Sequence, residues 1–306
     1  MFAARLLLAC GLVALTMASG RAQLKIAIAG IAGKKAVNAP SDKKALESMN
    51  LKPDDPAGLI KYFQDRTLND ADLANLNAII SRFGDENFEK RMVAGQEAEK
   101  FGAGAIGILR RTSATNDDPE IAYRAAELLK KIEKTPHAAV ASAAARALAS
   151  LKPPQAAAVL LAFLPMSDTR LVEEDIRTAL TALATREGKI EAALTAALAD
   201  KSPIRRCAAV VALLNGTSAS RELGADAAKA VRAILPAETD IETKFEATYL
   251  LATKLRDAES VVPMIDLLPD ATRGRLWQIE DYLLQLAGPT GPKPKLGPAT
   301  SDLEKA

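Results

Sequence analysis

This chain is short of the side chains on which most enzymes and metal sites depend. Of its 306 residues one is histidine, two are cysteine and 4% are aromatic. A lone histidine, His137, finds no partners for a nucleophilic triad, a His-based zinc site or a His-Glu-x-x-His helix. It follows Thr135-Pro136 and reads as an exposed residue at a helix start. No Asp-x-Asp-x-Asp-Gly calcium loop occurs. Carboxylate groups do occur, at Asp117-Asp118, Glu173-Glu174-Asp175 and Glu280-Asp281. The helix dipole favours acids in a first turn, which accounts for the first two groups. The stretch Gly30-Ile31-Ala32-Gly33-Lys34-Lys35 lacks the first glycine and the Ser/Thr of a phosphate-binding loop. No catalytic residue, metal ligand or cofactor follows from the sequence.

Charge of one sign is lacking too. The formal net charge of +2 comes from 40 basic and 38 acidic residues. Arg5, the apolar run Leu6 to Ala18 and Gly20-Arg21-Ala22 read as a secretory signal peptide over residues 1–22. Its removal takes away Arg5 and Arg21 and leaves a near-neutral chain with no basic face for nucleic acid. No later apolar stretch is long enough to span a bilayer. Export to the periplasm or the extracellular space is therefore expected. Cys10 leaves with the signal, so Cys207 has no intrachain partner and reads as a small buried residue. Residues 23–55 show only a brief strand-like alternation at Leu24 to Ala29, then Gly and Pro, and read as a flexible leader. The Pro/Gly-rich residues 289–306 read as a disordered tail.

Between them, residues 56–288 carry a helical period. Ile121, Ala125, Leu128, Leu129 and Ile132 make one apolar stripe, with Asp117 or Asp118 as cap and Pro119 at the first helical position. Val140, Ala144, Ala147, Leu148 and Leu151 repeat it, as do Val172, Ile176, Leu180 and Leu183, then Ile204, Ala208, Val211 and Leu214. An earlier, less regular helix places Phe88, Met92 and Ala98 inward. Shorter apolar helices are expected over 156–164, 190–198, 225–235 and 261–268. The matching positions Lys90, Ile121, Val172, Ile204 and Thr243 stand 31, 51, 32 and 39 residues apart. An extra copy at Val140 divides the 51-residue gap into steps of 19 and 32. A helical unit of about 30–40 residues repeated in this way is the signature of a stacked α-solenoid. The 19-residue step implies a missing short helix near 134–136. The 39-residue step implies an exposed loop around Asn215-Gly216-Thr217-Ser218.

Ser202-Pro203-Ile204-Arg205-Arg206-Cys207-Ala208-Ala209-Val210-Val211-Ala212-Leu213 resembles a HEAT repeat, and Asp200 fits the loop aspartate of such repeats. Leu160 to Pro165, Val172 to Leu180, Trp277 to Gly288 and Arg66 to Asp72 resemble secreted HEAT-repeat proteins of planctomycete-type bacteria. The fifth unit departs from the pattern, with Thr243-Lys244 where Val-Arg is usual, so that layer is expected to be looser or differently tilted. The resemblance implies a right-handed, armadillo-type α-solenoid of five to six two-helix units, and no enzymatic residues come with it.

The expected role is a non-enzymatic scaffold that binds a protein or peptide along a concave face of the longer helices. Arg124, Glu127, Lys131, Glu174, Arg177 and Arg206 are its candidate partner-binding residues. Their mixed signs favour a specific protein over a polyanion. Trp277, on the edge of the stripe Leu276, Ile279, Leu283 and Leu286, is a further candidate anchor. The competing reading is an enzyme on the same fold, a bilin-lyase-like small-molecule binder. It requires a large pocket on which Trp277, Tyr123 or a carboxylate converges.

Overall fold

A computed structural model describes residues 40–133 and 138–288. The expected signal peptide, residues 23–39, His137 and the expected tail from 289 lie outside the described residues. So do 134–137, where the missing helix was expected.

The described residues form an all-α protein with one two-residue hairpin. In chain order the helices are α1 (Pro40–Glu47), α2 (Pro56–Gln64), α3 (Asp70–Ser81), α4 (Phe88–Glu99), α5 (Ile106–Thr115) and α6 (Pro119–Ile132). Then come α7 (Ala138–Leu151), α8 (Ala156–Phe163), α9 (Arg170–Ala182) and α10 (Ala192–Ala197). The chain continues with α11 (Pro203–Gly216), α12 (Arg221–Ile234), α13 (Ile241–Lys254), α14 (Val261–Ile265) and α15 (Arg273–Ala287). The starts obey local chemistry. Asp55, Asp118 and Asp240 accept backbone N–H bonds at the starts of α2, α6 and α13, and Pro56 and Pro119 stand at first helical positions.

Helices α7, α9, α11 and α13 each lie against the next, and α8, α10, α12 and α14 pack against members of this row. Alanine lets them approach: Ala143, Ala144, Ala145, Ala147, Ala208, Ala209, Ala212 and Ala247 are all buried. The departure at Thr243 does not loosen its layer. Thr243 is fully buried and its hydroxyl donates to Asp240 Oδ2 at 2.7 Å, while Phe245, Leu250 and Leu251 pack inward. A buried polar group with a partner carries little cost.

The chain order and the packing order differ at the front of this row. Helix α1 packs on α7, and α2 packs on α7 and α8. Arg146 of α7 binds Asp42 of α1 at 2.7 Å and Asp175 of α9 at 2.8 Å, and so ties three helices. Helix α1, with the buried Leu46 and Asp42, falls inside the flexible leader expected over 23–55 and belongs to the fold. Helices α3 to α6 form a separate group around Leu76, Ile79, Phe83, Ala98, Leu109 and Leu128. The packing changes across the 19-residue step: α6 packs chiefly on α5, whereas α7 belongs to the row, where α2 flanks it.

Arginines join the inserted group to the row. Arg110 of α5 pairs with both Glu133 and Asp168, and Arg111 Nη2 donates to the Pro165 carbonyl at 2.7 Å. Gly107 meets the Met166 backbone directly.

Three further expectations are corrected. Phe88 and Met92 are exposed, and α4 instead buries Ala94 and Ala98, whose small size brings it close to the Phe83 core. Thr217 is not in an exposed loop. It is buried, donates to the Leu213 carbonyl at 2.7 Å and closes a tight turn, so the extra length of that unit lies in the 14-residue α12. Ile190 begins no helix. It closes a hairpin, Thr185–Arg186 with Lys189–Ile190, whose turn residues Glu187 and Gly188 have φ of 53° and 75°. Two successive positive φ values suit the twist of a two-residue hairpin.

Candidate functional site

A groove of about 980 Å³ runs between the α2–α3 connection and helices α8 and α10. That volume is at the upper end of ordinary ligand sites. Its floor is built from methyls: Ala158 and Ala162 on one face of α8, Ala193, Ala196 and Ala197 on one face of α10. Spacings of three and four residues put such side chains on a common helix face. Leu68, Val159 and Leu161 complete the apolar part, and Gln64, Thr67, Asn69 and Gln155 stand around it.

One end is ionic. Arg205, in the first turn of α11, is 9% exposed, and its Nη1 lies 2.9 Å from Asp70 Oδ1 and 3.5 Å from Asp200 Oδ1. Its Nη2 donates to the Ala162 carbonyl at 3.4 Å, and its buried Nε has no partner. Asp200 also accepts from the Ser202 backbone at 2.8 Å, which fixes the turn into α11. Asp72 accepts from Asn69 Nδ2 at 2.7 Å, and Asn69 in turn caps α3. Asp70 and Asp200 thus share one guanidinium while Asp72 stands apart from it, and the lining carries a net negative charge.

The partner-binding candidates lie elsewhere and do not form one patch. Arg124, Glu127 and Lys131 sit on α6 of the inserted group, bound to Glu120, Lys130 and Glu99 respectively, each at 2.6 Å. On α9, Glu174 is exposed and binds Arg170 at 2.8 Å. Arg177 does not face solvent freely: it holds Glu173 at 2.8 Å and reaches Cys207 Sγ at 3.7 Å. Arg206 is a structural tie, with two hydrogen bonds to the buried Glu238. Trp277 is 60% exposed, and Leu286 of its expected core stripe is exposed as well. Helix α15 packs on α13 through Ile279 and Leu283 of that stripe. Arg275 lies over the Phe245 ring at 4.3 Å and pairs with Glu246, Ile279 is buried, and the Tyr282 hydroxyl donates to the Ala252 carbonyl at 2.9 Å.

Neither Trp277 nor Tyr123 lines the groove, but the carboxylates of Asp70, Asp72 and Asp200 do. Sequence reading singled out Asp200 and Arg205 only as part of a repeat-like stretch. Asp70 is 135 residues from Arg205, so no local spacing could have joined them. Among the described residues no cluster of His, Cys, Asp and Glu could hold a metal ion, and no helix is long and apolar enough to cross a membrane. Compared with family models, with curated proteins and with solved structures, the chain matches none of them.

Two buried acids are held neutral. Burial pushes the Cys207 thiol up to about 11 and the Tyr62 hydroxyl, which has no hydrogen-bond partner, up to about 12. Both folded values lie above the unfolded ones, so the folded state keeps protons that the unfolded state gives up. Stability should therefore fall as pH rises from about 9 towards 12, by about 2–3 kcal/mol for each group. Denaturant midpoints across that range test this, and Cys207→Ala should flatten the lower part of the slope. An alkaline profile unchanged in that variant would show that the thiol does not contribute.

Proposed function

We propose that the chain is a non-enzymatic interaction scaffold, exported by its N-terminal signal and built as a right-handed HEAT-like α-solenoid along α7 to α14. The observation that carries this reading is the row itself. Consecutive helices lie side by side, and arginine–carboxylate ties at Arg146, Arg206 and Arg275 join them. A surface held in this way is preformed, so a partner meets little ordering cost. The partner is a protein or peptide, met through exposed side chains of mixed charge on α6 and α9.

The test is cross-linked capture from the native cell envelope with the purified protein and with Lys131→Glu, Glu174→Lys and Trp277→Ala. All three side chains are exposed, so the variants should melt like the parent. One abundant protein, lost in at least one charge reversal, is the expected result. Capture of nothing, or of the same proteins by every variant, would sink the proposal.

The second reading, a bilin-lyase-like enzyme, gains from the size of the groove. Its charge speaks against a tetrapyrrole, whose propionates would meet Asp70, Asp72 and Asp200.

A further inference from the structure

We propose that the groove between the α2–α3 connection and helices α8 and α10 receives an extended peptide segment carrying lysine or arginine. The inference rests on the scaffold reading and gives it a partner chemistry and a place, a groove that none of the charged candidates lines.

Charge is the first argument. Among the described residues the only cation in the lining, Arg205, is already engaged by Asp70 and Asp200, and Asp72 has no cation partner, only the Asn69 amide. The side chain of Asp70 is 58% exposed, so this ionic end is open to an incoming charge. An added cation there meets uncancelled negative charge, whereas an anion meets repulsion. Nucleic acid and anionic cofactors are disfavoured by the same groups.

Shape is the second. Lysine and arginine have an apolar stem and a charged head, and they bury the stem along apolar surface while the head stays polar. The floor of Ala158, Ala162, Ala193, Ala196 and Ala197 leads towards the aspartates and offers a track of this kind. No large side chain rises from it, so a peptide backbone can approach closely. Gln64, Asn69, Thr67 and Gln155 supply amide and hydroxyl groups for that backbone. Ala158, Asn69 and Ala196 are exposed, so the groove is open and suits a chain that passes through it.

The experiment is a fluorescence-anisotropy titration of the purified protein with labelled eight-residue probes, alternating Ala-Lys, Ala-Gln or Ala-Glu. Binding of the lysine probe alone, weakened by added salt, is expected. Asp72→Asn should weaken it roughly tenfold, as for loss of one well-placed charge interaction. That carboxylate does not touch Arg205, so its loss cannot act through the Arg205 pair. Ala196→Trp, which fills the groove from an exposed position, should abolish binding without lowering the unfolding midpoint. Binding that survives Ala196→Trp, equal binding of the glutamate probe, or displacement by spermidine as readily as by peptide would overturn the proposal. So would no binding of the lysine probe. If a partner is still captured through Lys131 or Glu174, the scaffold reading stands and the groove assignment alone falls.

Discussion

Gly107→Ala should lower stability by about 3 kcal/mol, the upper part of the range for forcing atoms into a filled site. A methyl at this position would lie 1.8 Å from the Met166 carbonyl oxygen and 2.9 Å from its carbonyl carbon. Both atoms belong to the backbone and cannot rotate away. They sit where the inserted four-helix group meets the turn after α8, so relief means separating the two. Thermal unfolding should shift down by roughly 5 °C for a chain of this size. Gly95→Ala is the matching control. Nothing lies within 4 Å of its added methyl and it sits inside α4, so it should stabilise by about 0.5–1 kcal/mol. Equal shifts in the two variants would mean that the close approach at Met166 does not hold the group in place.

Glu238→Ala is the second large effect, expected to cost about 3 kcal/mol, as for breaking a buried ion pair from one side. The carboxylate accepts from Arg206 Nη2 at 2.6 Å and Nε at 2.7 Å, and from the backbone of Asp240 at 2.8 Å and Thr239 at 2.9 Å. Removing it strands a largely buried guanidinium and two backbone donors between the end of α12 and the start of α13. The Arg206 hydrogen bonds hold the Glu238 carboxyl below its usual 4.5, against some desolvation. A depressed folded pKa contributes stability that is present above the unfolded value and lost as pH falls below it. The parent should therefore lose stability on acidification more steeply than Glu238→Ala. Parallel acid profiles for the two proteins would show that this pair contributes nothing measurable.

The stripes of α6 and α9 were legible because each is encoded locally, by apolar spacing and a capping Asp or Thr. Helix α1 was not. It carries one buried leucine, and what anchors it is Asp42 on Arg146, 104 residues away. The hairpin was missed because its signal is only Glu187-Gly188, a weaker form of the usual Asn-Gly. The stripe of α15 was legible at Ile279 and Leu283, whereas the packing of Arg275 on Phe245 and its pairing with Glu246 were not, because a charged residue gives no apolar signal. The groove depends on three segments brought together by the fold-back of α1 and α2. Each segment left a local trace in a repeat-like stretch, but nothing local joined Asp70 to Arg205.

That fold-back has a kinetic consequence. In a purely sequential stack each helix finds its neighbour as soon as it is made. Here α1 and α2 must wait until α7 and α8 exist, with the whole inserted group closing the loop between them. Closing a longer loop costs more entropy, and non-local contacts slow folding. During synthesis the apolar face of α2, with Leu59, Tyr62 and Phe63, stays uncovered for about five to twenty seconds at ordinary elongation rates. Over that interval the earliest helices of the chain are its most aggregation-prone part.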